Sequence, residues 1–171
     1  MAFFVPLPTK KEIVAMIYIG LLLLLLLIIV PFVRKWAKRK HDYAEAKQTV
    51  MEAKDHYAFL IDKDFRVKET NFYELNKDLD DGQPNVLGNV LHCSTGCDSG
   101  LCGTGIACQV CPVRIILTNS FKQKRDFNNV TAIMRLYDAK REVKDVDVSV
   151  NGRFVYLGYV PHMLVDIVAR K

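Results

Sequence analysis

Hydrophobic positions follow three different patterns along the chain. From Ile13 to Val33 there are 21 consecutive residues without a charge, including the unbroken run Leu21 to Leu27. As a helix this stretch is about 31 Å long, matching a bilayer core of roughly 30 Å, and it predicts a transmembrane helix over 13–33 after a short N-terminal segment, 1–12. Residues 34–55 lack Gly and Pro, are rich in helix formers, and place Trp36, Tyr43, Val50 and Met51 at near-heptad intervals. They predict a basic juxtamembrane helical linker, which either lifts a domain off the bilayer or pairs two copies in a short parallel coiled coil.

From residue 56 to 171 the pattern changes to short strands. Tyr57 to Ile61 is apolar and rich in strand formers, Asp62-Lys63-Asp64 turns the chain, and Phe65 to Thr70 alternates as a second strand. Asn71 to Asn76 reads as one capped helical turn. Residues 77–109 have a loop-like composition, with Asp80-Asp81 as a solvated turn. Val110 to Lys122 returns to helical spacing, with Pro112 in the first turn. Val130 to Tyr137 is branched and apolar, and Val143 to Val150 alternates strictly. Asn151-Gly152 marks a turn or a bulge in a longer strand, before strand material at Phe154 to Gly158 and Met163 to Ala169. Strands, then short helices, then strands predict an α+β domain with helices on one face of an antiparallel sheet.

Half of the 171 residues are hydrophobic and only 15 are Pro or Gly, which excludes a disordered chain. The net charge of +5 could suggest nucleic acid, but its location says otherwise. From His41 onward there are 17 basic and 18 acidic residues, so the soluble part has no excess positive charge for a phosphate backbone. The basicity sits in Arg34, Lys35, Lys38, Arg39 and Lys40, directly after the span. With Trp36 these residues form the expected membrane interface. The excess of positive charge after the span places the C-terminal domain in the cytoplasm, on the inner membrane, as a single-pass protein. A cleaved signal peptide would have a shorter apolar region and a small-residue cleavage site; Pro31-Phe32-Val33-Arg34-Lys35-Trp36 offers none. A cytoplasmic domain keeps its thiols reduced.

All five cysteines, Cys93, Cys97, Cys102, Cys108 and Cys111, fall within 19 residues. Thiolates this close can converge on one cation. Cys108 and Cys111, two residues apart, form a chelating pair, and Gly96, Gly100, Gly103 and Gly105 supply freedom for tight turns around bound sulfur or metal. Soft sulfur sets suit an iron–sulfur cluster or zinc. Cys111-Pro112 is of the kind found at cluster-binding cysteines, whereas a zinc ribbon would present two separated Cys-x2-Cys pairs. Reversible thiol–disulfide switching is the third option, and the odd number argues against a plain set of structural disulfides. Covalent haem needs a His where Pro112 stands. His92 is a fifth candidate ligand, although a His beside a cysteine is more often a hydrogen-bonding neighbour; His41, His56 and His162 read as surface or strand-end residues. No Ser-His-Asp set, phosphate loop or paired carboxylates point to an enzyme.

The run Phe59-Leu60-Ile61-Asp62-Lys63-Asp64-Phe65-Arg66-Val67 with Asn71, and the closing Leu164-Val165-Asp166-Ile167-Val168-Ala169-Arg170-Lys171, resemble a PAS domain over residues 56–171. The closing run is similar to the Asp-Ile-Thr-x-Arg-Lys ending of many PAS domains, with Val168 in place of the usual Thr. The resemblance implies a five-stranded antiparallel sheet, a cofactor pocket against its helical face, and a role in sensing or interaction. Within it, Leu91-His92-Cys93, Cys102-Gly103 and Cys108-x2-Cys111-Pro112 look like a cysteine-rich subset of bacterial PAS domains, with the cysteine-rich loop spanning 92–112. That pattern implies Cys93, Cys102, Cys108 and Cys111 as metal ligands, with Cys97 spare or an alternative ligand.

The expectation is a membrane-anchored PAS sensor, not an enzyme. It would hold a redox- or oxygen-responsive iron–sulfur cluster, a 4Fe-4S centre, with zinc as the alternative. With no output segment after Lys171, its signal is expected to pass through a protein partner, a homodimer contact or the membrane helix, unless the chain is a fragment. The rivals are a zinc-stapled scaffold and an iron–sulfur electron-transfer subunit of a membrane complex.

Overall fold

A computed structural model describes residues 10–79 and 82–170 of the chain; the expected turn at Asp80-Asp81 lies outside the described residues. The apolar run and the basic linker form one continuous helix, α1 (Lys10–Glu52), which includes Pro31. At 43 residues it is about 65 Å long. Its most apolar window has a mean hydropathy of 3.0 and is not buried within the chain, so the helix is long and apolar enough to cross a membrane.

The strands are β1 (Tyr57–Asp62), β2 (Val67–Thr70), β3 (Phe127–Tyr137), β4 (Val143–Leu157) and β5 (Val160–Ala169), and they form one antiparallel sheet in the order β2-β1-β5-β4-β3. The short helices α2 (Phe72–Leu75), α3 (Leu87–Val90), α4 (Ser94–Asp98) and α5 (Pro112–Gln123) lie between β2 and β3 in the chain. The α+β sheet expected from the pattern is therefore present; α5 starts on Pro112, two residues later than the expected start at Val110, which ends the preceding 3-10 turn.

Both faces of the sheet are covered. On one, Phe59, Ile61, Val67, Met163, Val165 and Ile167 meet Leu91, Val113 and Leu117 from the short helices in the main core. On the other, Ala58, Leu60, Leu157 and Leu164 pack against Ala46 and Val50 of α1. Double burial explains why Ala58 to Ile61 is apolar at every position rather than alternating. The linker is thus neither a free stalk nor a bare coiled-coil stripe. Tyr43, Ala46 and Val50 share the helix face turned toward the sheet. Tyr43 donates a hydrogen bond to Glu69, and Lys47 lies 3.1 Å from the same carboxylate.

Three local expectations change. Asn71 does not cap α2 with its side chain. Its carbonyl accepts the Ala58 N–H at 2.8 Å and its amide donates to the Ala53 and His56 carbonyls, tying the end of α1 to β1. Of the two options at Asn151-Gly152, the longer strand holds and the turn does not: β4 runs through it, and the irregularity falls opposite, between Phe127 and Val130. A side chain at Gly152 would run into the Phe127 ring, so this glycine is a close approach. The real hairpin turn is Gly158-Tyr159, closed by the Leu157–Val160 pair. Finally, the 77–109 region is less loop-like than its composition suggests, holding α3, α4 and the start of a 3-10 turn over Ile106–Val110.

Candidate functional site

Local geometry delivers each cysteine separately. The backbone of His92 is left-handed (φ 56°), and its carbonyl accepts the Tyr137 N–H at 2.8 Å, while Cys93 forms a bridge to Leu136 on β3. Cys93 thereby enters α4 pinned to the sheet. Cys102 follows α4, Cys108 sits in the 3-10 turn, and Cys111 is extended (ψ 120°) immediately before α5. Cys93, Cys102, Cys108 and Cys111 together line one cavity of about 290 Å³. Its other walls include Phe65, Leu87, Leu91, Leu117 and Met134, with Arg114 as a cationic group among them. All five cysteines are free thiols.

Cys97 is elsewhere. It lines a second, more polar cavity with His92, Asp98, Tyr137, Asp138 and Arg141, and its thiol donates to the Gln83 side-chain oxygen at 3.7 Å. His92 is buried and stacks on Phe72, so this ring also belongs to the second cavity. His41 is exposed and His56 is half-buried near Asp55 and Asp166, as expected of surface residues. His162 differs: it is buried in β5.

Two residues that the sequence reading passed over shape the thiol cavity. Gly88 leaves room for Cys102, since a Cβ there would lie 2.9 Å from the Cys102 Cβ and closer still to its sulfur. Asn89, fully buried, accepts the Cys102 N–H at 2.7 Å and donates to the Gly100 carbonyl at 3.3 Å. A buried amide paired through both its oxygen and its nitrogen holds the loop against α3. The visible signal was one polar residue inside the apolar run Val86 to Leu91. Of the four loop glycines, Gly100 and Gly103 use positive φ (78° and 105°), and at Gly103 the Arg114 guanidinium fills the space a side chain would need.

The electrostatics disfavour isolated thiolates here. Burial, then neighbouring Cys108 and Cys93, push the Cys102 thiol up to about 11, against the Gly88 N–H and Arg114. Burial also raises Cys93, opposed by the N–H groups of Gly96 and Thr95, with Cys111 and Cys108 adding to the rise. Cys97 is raised by burial as well, and then by Cys93 and Asp98. Each thiolate in the cavity would repel the next unless a cation joined them. Backbone N–H groups already aimed at Cys93 and Cys102 are the contacts that tune cluster-bound sulfur. The donor chemistry therefore suits a soft metal. Among the described residues, no group of three or more His, Cys, Asp or Glu side chains is gathered tightly enough to hold a metal ion. The four thiols share a cavity rather than a closed shell around one point.

Arg34, Lys35, Trp36, Lys38, Arg39 and Lys40 occupy consecutive turns of α1 and are exposed. Lys40 lies over the Trp36 ring at 4.0 Å. Comparison of the chain with models of known protein families and with curated proteins finds no match.

Proposed function

We propose that this chain is a single-pass inner-membrane PAS-type sensory module, with its domain in the cytoplasm and an iron–sulfur centre held by Cys93, Cys102, Cys108 and Cys111. One observation carries the reading. Of five clustered cysteines, four line a single largely apolar cavity between the short helices and the sheet, and the fifth faces away. A cavity of about 290 Å³ with sulfur at its walls suits a polynuclear cluster better than one small ion, whose four sulfurs would have to meet within about 2.3 Å of it. The PAS assignment rests on the sequence resemblance and agrees with the five-stranded antiparallel sheet.

Bound there, the cluster would supply a one-electron couple and sensitivity to oxygen. The protein's part is mechanical. With its thiolates tied together, the 93–111 loop is clamped between β3, through Cys93 and the His92 carbonyl, and α5, which begins after Cys111. Release of the thiolates loosens that clamp and shifts α5 on the sheet, whose opposite face carries α1. Val110 and Ile133 at the edge of the cavity are 73% and 72% exposed, an apolar surface for a protein partner or a second copy.

The test is anaerobic purification of the full chain in detergent, followed by visible absorption and iron, sulfide and zinc analysis. The expected result is a brown protein with about four iron and four sulfide per chain, lost in Cys102→Ser and Cys111→Ser and kept in Cys97→Ser. A colourless protein with zinc would replace the sensor by a zinc-stapled scaffold. A cluster that cycles reversibly with a redox partner, and survives oxygen, would favour the electron-transfer subunit.

A further inference from the structure

The tip of the β4–β5 hairpin stands beside the helix at the point where its apolar run ends. Lys35 is two residues past Val33, so about 3 Å farther along the helix axis. Its ammonium lies 4.2 Å from the centroid of the Tyr159 ring. The tip is also fastened to the next turns of α1. Gly158, with φ +68°, donates its N–H to Asp42 at 3.2 Å, and the Arg39 side chain covers the place where a Cβ at Gly158 would be. Two-residue hairpin tips that point into water are usually polar. This one is not: the twelve residues from Phe154 to Val165 contain no Asp, Glu, Lys or Arg. Tyr159 is 70% exposed, and Tyr156 and Val160 beside it are exposed as well.

We propose that the Gly158-Tyr159 tip is a second membrane contact, with the Tyr159 ring reaching into the headgroup layer of the bilayer that α1 crosses. This rests on reading α1 as the membrane anchor. The headgroup layer extends roughly 5–7 Å beyond the hydrocarbon core. The Tyr159 ring meets the Lys35 ammonium there, while the backbone of the tip is held farther out, beside Arg39 and Asp42. Tyrosine is suited to that depth, since the ring is apolar and the hydroxyl stays wet. Lys35 and Arg39 beside the tip, and Lys40 over Trp36, meet anionic headgroups. The domain then touches the membrane at two points, the helix and the hairpin, which fixes its orientation. A single crossing helix by itself leaves the tilt of the domain against the bilayer open.

The experiment places an indole at the tip. Trp36 is the chain's one tryptophan, so Trp36→Phe provides a silent background. Tyr159→Trp, Val160→Trp and, as control, Lys140→Trp are introduced into the full chain. Lys140 lies in the β3–β4 turn, at the other end of the 15-residue β4. The proteins are reconstituted in phosphatidylcholine–phosphatidylglycerol vesicles with lipids brominated near the top of the acyl chains. Flotation through a density gradient reports insertion. In floated protein the indole at 159 or 160 should emit to the blue and lose roughly half its intensity to bromine, several-fold more than the control. Emission and quenching equal to the control at both tip positions, in protein that floats, would overturn the seating while leaving the anchor intact. Failure of every variant and the parent to float would overturn the anchor reading and this proposal with it.

Discussion

At Gly88 the absent side chain is space that Cys102 occupies, and at Gly103 the space is taken by Arg114. Such positions tie backbone choice directly to the thiol cavity. Gly88→Ala should displace Cys102, costing about 1–3 kcal/mol as overpacking does, and lower the metal-to-protein ratio that the proposed centre would give. An unchanged ratio with an unchanged melting temperature would mean that the Cys102 position is not constrained by α3. His162 offers a pH test. Burial holds its imidazole below the usual 6.5, with the Val160 carbonyl and Asp62 opposing. Because the folded value is depressed, the folded state prefers neutral His162. Its contribution is complete above about 6.5 and is lost as the pH falls through and below that value. Denaturant unfolding at pH 7.5, 6.5 and 5.5 should show the wild type losing more stability on acidification than His162→Gln; parallel losses would sink the assignment.

At the scale of elements, α1 is the part whose pattern had two meanings. The spacing of Tyr43 and Val50 fits a coiled coil and equally a helix laid on a sheet. Packing decides for the second: Val50 is fully buried against Ala58, Leu60, Leu157 and Leu164. Tyr43 is fastened to Glu69, and burial together with that carboxylate pushes its hydroxyl up to about 12. Val50→Ala should therefore destabilise the domain by about 1–3 kcal/mol and open residues 40–55 to proteolysis, with no change in oligomeric state. A loss of dimer with domain stability intact would return the stripe to a coiled coil. Asn71 makes the same point on a smaller scale. Its sequence context suits a cap, yet its side chain spends three hydrogen bonds joining α1 to β1.

Over the whole molecule, charge and apolarity are segregated. The exposed apolar helix, the basic turns after it and the charge-free hairpin tip lie together at one end of the domain. The cavity is built on the opposite face of the sheet from α1. In the proposed sensory reading, a change at the thiols would reach α1 through the sheet rather than along a flexible tether, because the sheet is packed on both sides. That arrangement makes a rigid unit of the thiol cavity, the sheet and α1.

The sequence by itself determined the apolar span, the strand alternation, the α+β order and the cluster of five cysteines. Each of these depends only on spacing along a covalent chain, where helical and strand periods repeat over a few residues. The tertiary structure decided which thiols share a cavity, that α1 closes the outer face, and that Gly158-Tyr159 is the turn beside α1. Cys97, four residues after Cys93 and next to α4's end, turns toward Gln83 and Tyr137 instead of the cavity. No local period could choose between those sides, since the choice is made by β3, α3 and α5, whose contacts are distant in the chain.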